Sequence, residues 1–153
     1  MTTIKLRKAV PADSADILNW RNDPATVKVS FNQAPVGAAE HEKWFAGAFS
    51  DPRRRLLIAE SERGEKIGLL RFDLLGTSFA EVSINLAPAQ RGKGFGAPLI
   101  AQGCRAMAGC SLIARAKESN PASVKVFEKA GFTRLFAYED AGQGTVLVLG
   151  LRG

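Results

Sequence analysis

The stretch Pro88-Ala89-Gln90-Arg91-Gly92-Lys93-Gly94-Phe95-Gly96, between a predicted strand and a predicted helix, decides the fold. Its glycines at alternate positions carry no side chains, so successive backbone N–H groups can converge on one anion. The helix that follows adds the positive end of its dipole, and Arg91 and Lys93 add full charges. The stretch therefore predicts a cradle for a diphosphate.

Three classes of phosphate-binding loop can be compared with this stretch. A Walker loop requires Gly-x-x-x-x-Gly-Lys-Ser/Thr, and Lys93 is followed by Gly94, so this class does not fit. A dinucleotide fingerprint requires Gly-x-Gly-x-x-Gly early in the chain, whereas the spacing here is Gly-x-Gly-x-Gly and comes late. The third pattern, Arg/Gln-x-x-Gly-x-Gly/Ala, is satisfied by Arg91, Gly94 and Gly96. A glycine-rich turn with basic neighbours and no ligand is the alternative.

The composition is that of one ordinary globular domain over residues 1–153. Of the 153 residues, 46% are hydrophobic and 24% are charged, and a chain of this size needs no disulfide or metal to fold. The net charge of +6 and the pI near 9.7 favour an anionic partner: nucleic acid, a phosphate-bearing cofactor or an acidic surface. Two cysteines and one histidine cannot supply a four-ligand zinc site, so we expect no metal.

Targeting and membrane signals are not expected. No apolar run approaches the roughly 20 residues that span a bilayer. The start, MTTIKLRKAV, lacks the apolar core of a secretory signal. We therefore expect a cytoplasmic protein.

The periodicity predicts a mixed α/β chain of order β-α-α-β-β-β-α-β-α-β-β. Alternating polarity, as in Ile4 to Lys8, marks a strand with one wet face. Pro121 and Gly131 bracket a helix in their preferred first-turn and C′ positions, and Pro24 disfavours helical backbone at the residue before it. The predicted strands are 4–8, 56–60, 67–75, 79–87, 112–116, 133–138 and 145–151, and the predicted helices are a short one that ends near residue 22, then 38–49, 94–108 and 121–130.

A second motif accompanies the glycine turn. The segment from Asn120 to Phe132 reads Asn-Pro-Ala-Ser-Val-Lys-Val-Phe-Glu-Lys-Ala-Gly-Phe. Together with the Arg-x-x-Gly-x-Gly turn after the fourth strand, it resembles the GNAT superfamily of N-acetyltransferases. The resemblance implies an α/β (mixed α+β) GNAT-like fold, in which a mixed, mostly antiparallel sheet is splayed between its fourth and fifth strands and flanked by about four helices.

The resemblance also implies acetyl-CoA as the co-substrate. In the superfamily the loop holds the pyrophosphate, the Asn side chain bonds the pantetheine arm, and the helix packs along the cofactor. The pantetheine enters the gap between the splayed strands, where a backbone N–H near Leu86 or Ala87 would polarise the thioester carbonyl. The implied cofactor-binding residues are Leu86, Ala87, Arg91, Gly92, Lys93, Gly94, Phe95, Gly96, Asn120, Ser123 and Phe127.

Acetyl transfer needs a base, because a typical alkyl amine is largely protonated at neutral pH. Glu81, in Phe79-Ala80-Glu81-Val82, resembles the base glutamate of histone-acetylating members, although its gap to the loop is one residue shorter. A strand glutamate at a sheet edge is the alternative role. His41, the only histidine, is the rival base because imidazole titrates nearest to neutral pH, and it could equally be a helix-surface residue.

The second motif departs from the superfamily at Phe127. The usual residue there is Tyr, often assigned to protonate the leaving thiolate, and Phe127 has no hydroxyl, so the proton donor stays open. Tyr138, the only tyrosine, lies in a later predicted strand, where we expect a sheet role. Cys104 and Cys110 are expected to be small buried residues rather than acyl carriers.

The N-terminal third carries the acceptor side of the resemblance. Its motifs are similar to those of the 4-amino-sugar nucleotide N-acetyltransferases of pseudaminic acid synthesis and, more distantly, of enzymes that acetylate ribosomal-protein N-termini. The motifs are Trp20-Arg21-Asn22-Asp23-Pro24, Phe31-Asn32 and Glu40-His41-x-x-Trp44. The implied substrate-binding residues are Trp20, Arg21, Asn22, Phe31 and His41. Core packing for Trp20 and a helix-end role for Arg21 are the alternatives.

We therefore predict an acetyl-CoA-dependent N-acetyltransferase for a small amine, best matched by a nucleotide-linked amino sugar of the UDP-4-amino type, acting as a monomer or homodimer. Acetylation of protein N-termini or lysines is the alternative enzyme activity. A non-catalytic acyl-CoA-binding module is the alternative of another class, suggested by Phe127. Nucleic acid and membranes are not expected partners, and basic residues without interleaved aromatics argue against nucleic acid.

Overall fold

Seven strands and five α-helices lie within residues 3–152, the part of the chain that the computed structural model describes. The strands are Ile4–Lys8 (β1), Arg54–Ser61 (β2), Lys66–Leu74 (β3), Phe79–Leu86 (β4), Ser111–Lys117 (β5), Thr133–Asp140 (β6) and Gly144–Leu151 (β7). The helices are Ser14–Arg21 (α1), Pro24–Val29 (α2), Ala38–Ser50 (α3), Gly96–Ala106 (α4) and Pro121–Lys129 (α5).

The strands form one mixed sheet of order β1-β2-β3-β4-β5-β7-β6. Only β4 and β5 run parallel among the strand pairs of the described residues. Within the same residues, no helix is long and apolar enough to cross a bilayer. The mixed, mostly antiparallel sheet predicted from the sequence is confirmed.

Two apolar cores lie on opposite faces of this sheet. Leu69 and Leu70 of β3 belong to different cores, because successive strand residues point to opposite faces. The larger core lies under α4 and α5, and the smaller one lies under α1 and α3. Buried members of the larger core include Phe72, Leu99, Ile100, Val124 and Phe127, and those of the smaller core include Ile17, Trp20, Phe45 and Ile58.

A wedge-shaped gap opens between β4 and β5. Their pairing runs only from Phe79↔Ser111 to Glu81↔Ile113. Beyond that point β4 stays paired with β3 as far as Leu86, while β5 stays paired with β7 as far as Lys117. Each strand follows its antiparallel neighbour, so the two halves of the sheet diverge as predicted.

The helices differ from the prediction in number and in one boundary. The sequence predicts that the chain leaves helical structure near Pro24, but Pro24 is the first residue of α2. Proline suits that position, and the Asp23 carboxylate caps the helix by accepting from the Ala25 N–H at 3.2 Å. α4 begins at Gly96 rather than at Gly94, because Gly94 has a φ of +80°.

Candidate active site

The glycine turn between β4 and α4 forms an open concave surface. Gly92 and Gly94 have φ values of +74° and +80°, which side chains with a Cβ rarely adopt. A Cβ built on either residue would meet no atom of the described chain within 4 Å, so the space beside the turn is open. Gly96 differs, because its Cβ would meet Val126 of α5 at 2.9 Å. Two glycines therefore shape the cradle, and the third lets α4 approach α5.

The backbone of β4 presents hydrogen-bonding groups to the gap. The Ala87 N–H donates to the Ile67 carbonyl at 2.8 Å, so it is engaged in the sheet. The backbone N–H and C=O groups of successive strand residues point to alternate edges of the strand. Those of Ala87, and of residues an even number of positions from it, therefore face β3. Ile84 and Leu86 are out of step with Ala87, so their N–H and C=O groups face the gap. Of the two residues expected to polarise a thioester carbonyl, Leu86 is the one with an N–H on this side.

The residues of α5 line the other side of the turn. Asn120 caps the helix, its Oδ1 accepting a long hydrogen bond of 3.5 Å from the Ser123 N–H. Phe127 is only 3% exposed and packs edge-on against Phe132, with ring centroids 5.2 Å apart. Phe127 is thus a core residue, whereas Asn120 and Ser123 are half-buried at the start of the helix.

The two cations of the turn take different directions. Lys93 is exposed, and its ammonium lies 3.4 Å from the Gln90 Oε1. The Arg91 guanidinium instead donates to the Asp23 carboxylate at 2.8 Å. Arg91 also donates to the Thr26 hydroxyl and, at 3.2 Å, to the Leu86 carbonyl. In the structure, Arg91 therefore donates hydrogen bonds to the N-terminal end of α2 and to the last residue of β4.

Glu81 lies at the point where β4 and β5 part. Its Oε2 accepts from the Arg115 Nε at 2.7 Å, and this carboxylate raises the pKa of Arg115 because it stabilises the charged guanidinium. Asp73 lies directly opposite Glu81 on β3 and pairs with Arg71 at 2.8 Å. The Asp73 Oδ1 is buried and has no hydrogen-bond partner among the described residues. The Arg54 Nε lies 3.8 Å from this oxygen, so two carboxylates and three guanidiniums share one patch of the sheet.

The loop between α2 and α3, residues 30–37, contains Phe31, one of the residues predicted to bind the acceptor. Three successive carbonyls accept from three different elements: Ser30 from Lys117 Nζ at 2.7 Å, Phe31 from Gln143 Nε2 at 2.5 Å, and Asn32 from Arg21 Nη2 at 2.7 Å. Asn22 makes two 2.7 Å hydrogen bonds to the backbone of Val36. The Phe31 ring lies beneath Arg115 and Lys117, 5.0 and 5.8 Å from their charged groups. The loop is therefore a fixed wall.

The structure brings together three of the five residues predicted on the acceptor side: Arg21, Asn22 and Phe31. Trp20 is 7% exposed and lies in the smaller core. His41 is 4% exposed, and its Nε2 lies 3.0 Å from both the hydroxyl and the carbonyl of Ser14. The structure places both of these residues in packing positions.

Sequence reasoning missed the charged residues that face the gap from β3 and β5. Arg115 and Lys117 alternate with apolar Leu112, Ala114 and Ala116. This period of two could have indicated that the two charged residues share one face of the strand. Tyr138, half-buried on β6, also raises the pKa of Arg115 by hydrogen bonding. Partial burial raises the pKa of the Cys104 thiol to about 11, and Cys104 and Cys110 are both half-buried rather than fully buried as expected. Within residues 3–152, no group of three or more metal-ligating side chains comes together.

Comparison with known protein families and sequences gives two matches. The family model described as "Acetyltransferase (GNAT) domain" matches residues 3–133. "Putative phosphinothricin acetyltransferase YwnH" of Bacillus subtilis (strain 168) is 33% identical over 116 residues, which cover 71% of this chain and 70% of the relative.

Solved structures give the same picture of the fold. The crystal structure of a "putative phosphinothricin N-acetyltransferase" has a TM-score of 0.81 and 28% identity, covering 98% of both chains. Spermidine N-acetyltransferase from Vibrio cholerae, in complex with CoA and spermine, has a TM-score of 0.86. It is 21% identical, with 97% of this chain and 95% of that chain covered, so this likeness concerns the fold alone.

Proposed function

The chain belongs to the GNAT acetyltransferase family, and from this premise we propose that it acetylates a small primary amine that also carries an acidic group. It is an acetyl-CoA-dependent N-acetyltransferase. The observation that carries the acceptor class is the charge around the gap, where Arg71, Arg115 and Lys117 outnumber Asp73 and Glu81.

The residues of the turn and the gap fit acetyl-CoA, which supplies a reactive thioester and a diphosphate. The open cradle at Gly92 and Gly94 leaves room for the diphosphate against bare backbone and the start of α4. The gap-facing groups of Ile84 can pair with an amide of the pantetheine arm, since the Leu86 carbonyl already accepts from Arg91. The Leu86 N–H is then the donor to the thioester oxygen, where negative charge develops.

Glu81 is the proposed general base. It precedes Leu86 by five residues, about 16 Å along a strand at ~3.3 Å per residue, so the proton reaches it through water. Glu81 accepts the proton that the amine loses as its nitrogen bonds the acetyl carbon and the carbon–sulfur bond breaks. Water supplies the proton for the departing thiolate, because Phe127 has no hydroxyl to donate.

The balance of charge at the gap favours an acidic amine over a polyamine. Lys117 is only 4% exposed, and no carboxylate of the described residues lies within salt-bridge distance of it. An acceptor with a carboxylate, phosphinate or phosphate group gains from this uncompensated charge, whereas a polycation is repelled. The 33% identical relative is named for phosphinothricin, an amino acid with a phosphinate group, which agrees with this class.

A nucleotide-linked amino sugar is the finer prediction from the N-terminal motifs. Such an acceptor also carries an amine and acidic groups, so the charge at the gap is compatible with it. The relatives reported above are named for phosphinothricin and spermidine, and their names give it no support. A nucleotide-linked amino sugar is therefore included as one of the acceptors to be tested.

The test follows release of free CoA from acetyl-CoA with four acceptors: phosphinothricin, a UDP-linked amino sugar, spermidine and a short peptide. We expect the acidic amines to exceed spermidine at least 10-fold in kcat/KM. Arg71→Met should reduce this preference, while Arg63→Met, a change of the same kind on an exposed turn, should not. Preferred turnover of spermidine or of the peptide would contradict the acceptor class.

A further inference from the structure

The short helix α2 lies across the mouth of the gap. Its N-terminal end is bonded through Arg91 to the carbonyl of Leu86, the last residue of β4. Its C-terminal end is bonded through Lys117, the last residue of β5, which donates to the Ser30 carbonyl at 2.7 Å. The segment 23–30, here termed the strap, therefore connects the two strands where they are farthest apart.

The N-terminal fastening is a half-buried network. The Arg91 and Asp23 side chains are 31% and 23% exposed, with Nη1 and Oδ2 2.8 Å apart. Asp23 also caps α2, and Thr26 in its first turn accepts a further hydrogen bond from Arg91. Arg91 is more than 60 positions away in the chain from both Asp23 and Thr26. Arg91 is thus neutralised and oriented by the strap.

The contacts at the C-terminal end of the strap explain why the cation of Lys117 can be buried. Lys117 is 4% exposed, and its ammonium lies on the carbonyl at the negative end of α2 and over the Phe31 ring. A cation is favoured at a helix C-terminus and over an aromatic face. These two contacts stabilise the Lys117 ammonium in its buried position, but neither of them neutralises its charge.

We propose that the strap is a fixed roof over the thioester end of the gap, and that Arg91 and Lys117 are positioning residues that hold its two ends. Arg91 then contributes by fixing the distance from the acceptor wall to the Leu86 N–H. The diphosphate is left to the backbone of the glycine turn and to Lys93. This role rests on the proposed function, because the wall is defined by the acceptor that it faces.

The first experiment separates a positioning role from a diphosphate contact by changing the donor. Acetyl-CoA is compared with S-acetyl-pantetheine, which has no diphosphate. We expect Arg91→Met to lower kcat/KM by the same factor, roughly 10- to 100-fold, with both donors. Lys93→Met should lower it with acetyl-CoA only. A loss confined to acetyl-CoA in Arg91→Met would overturn the proposal.

The second experiment removes the partner of Arg91 and keeps the helix cap. Asn is as good an N-cap as Asp, so Asp23→Asn removes mainly the ion pair. We expect Asp23→Asn to reproduce the loss in Arg91→Met, and the double variant to add little, because both changes break one contact. Arg91→Lys should restore part of the rate. Independent, additive losses would contradict the shared role, and Asp140→Asn on the exposed end of β6 is the matched control.

The third experiment needs no turnover. Hydrogen exchange at the amides of residues 25–30 should accelerate in Arg91→Met and in Lys117→Met, while the calorimetric Kd for CoA changes less than threefold in Arg91→Met. Unchanged exchange in both variants would overturn the strap. If the wild type binds CoA but acetylates no amine, the proposed function fails, whereas the exchange result still decides the role of Arg91.

Discussion

At the scale of single residues, Glu81 is the proposed general base, and its carboxylate is held by Arg115. The 2.7 Å ion pair engages the Oε2 of Glu81, and the other carboxylate oxygen is the proposed proton acceptor. Phe127, at the place of the superfamily's usual Tyr, is buried against Phe132 and donates no proton. The base is therefore the group whose removal should be most visible in kinetics.

Glu81→Gln should lower kcat by roughly 100-fold or more near neutral pH, since general bases contribute about 10²–10⁴. The amide keeps an acceptor for Arg115 but cannot take a proton. The loss should shrink at high pH, where the free amine is present without a base. A pH–rate profile measures this, with CoA affinity by calorimetry as the check on binding. A profile with the wild-type shape would remove Glu81 as the base, and Glu62→Gln on the exposed turn is the control.

At the scale of elements, the turn between β4 and α4 has its shape because two of its glycines adopt a backbone conformation that other residues avoid. Gly92 and Gly94 have positive φ, and the space beside each is open. The helix after them starts only at Gly96, so the N–H groups before it are free of intrahelical bonds. The element is defined by local sequence.

Gly94→Ala should weaken CoA binding about 10-fold and destabilise the fold by about 1–2 kcal/mol, the cost of left-handed backbone for an L residue. Gly109→Ala is the matched variant, because Gly109 has a φ of +91° and open space around it, yet lies at the far end of α4. It should lose similar stability and keep its CoA affinity. Urea unfolding and calorimetry measure the two effects, and equal CoA affinities in both variants would contradict the cradle.

At the scale of the whole molecule, a charged network ties the N-terminus to the sheet. Asp13 is 1% exposed and accepts from Arg7 at 2.8 and 2.9 Å, from Lys66 at 2.8 Å and from the Val10 N–H at 2.8 Å. The hydrogen bond from Arg7, with those from Lys66 and Val10, holds the pKa of Asp13 well below its usual value. The network joins β1, β3 and the turn that leads into α1.

Asp13→Ala should cost about 1–3 kcal/mol of unfolding free energy at pH 7, because it removes charge-assisted hydrogen bonds and the acceptor of the Val10 N–H, while Arg7 and Lys66 keep Glu60 and Asp16 as partners. The pKa of Asp13 is lower in the folded state than in the unfolded state, so its contribution is complete above the unfolded value of about 4 and is lost as the pH falls below it. The difference in unfolding free energy between wild type and variant should therefore decrease from pH 7 to pH 3, as measured by urea titrations. A constant difference would contradict the linkage, and Asp140→Ala is the exposed control.

The sequence alone predicted the features that depend on neighbouring residues. The glycine turn, the α5 motif and the alternation of the strands are set by backbone preference and side-chain period, so the order of elements along the chain follows from them, whereas the parting of β4 and β5 was implied by the resemblance to the superfamily. One short helix escaped prediction, because Asn22-Asp23-Pro24 can end one helix and begin the next.

Only the tertiary structure decided which partner each charged side chain takes. Arg91 bonds Asp23 across 68 positions, and Lys117 reaches Ser30 across 87. Long, flexible cations can satisfy their charge in many ways, and the choice depends on which segments the packed sheet brings together. The sequence determined the shape of the glycine turn because glycine's conformation is local, whereas the wall formed by residues 30–37 exists only after remote segments have folded against one another.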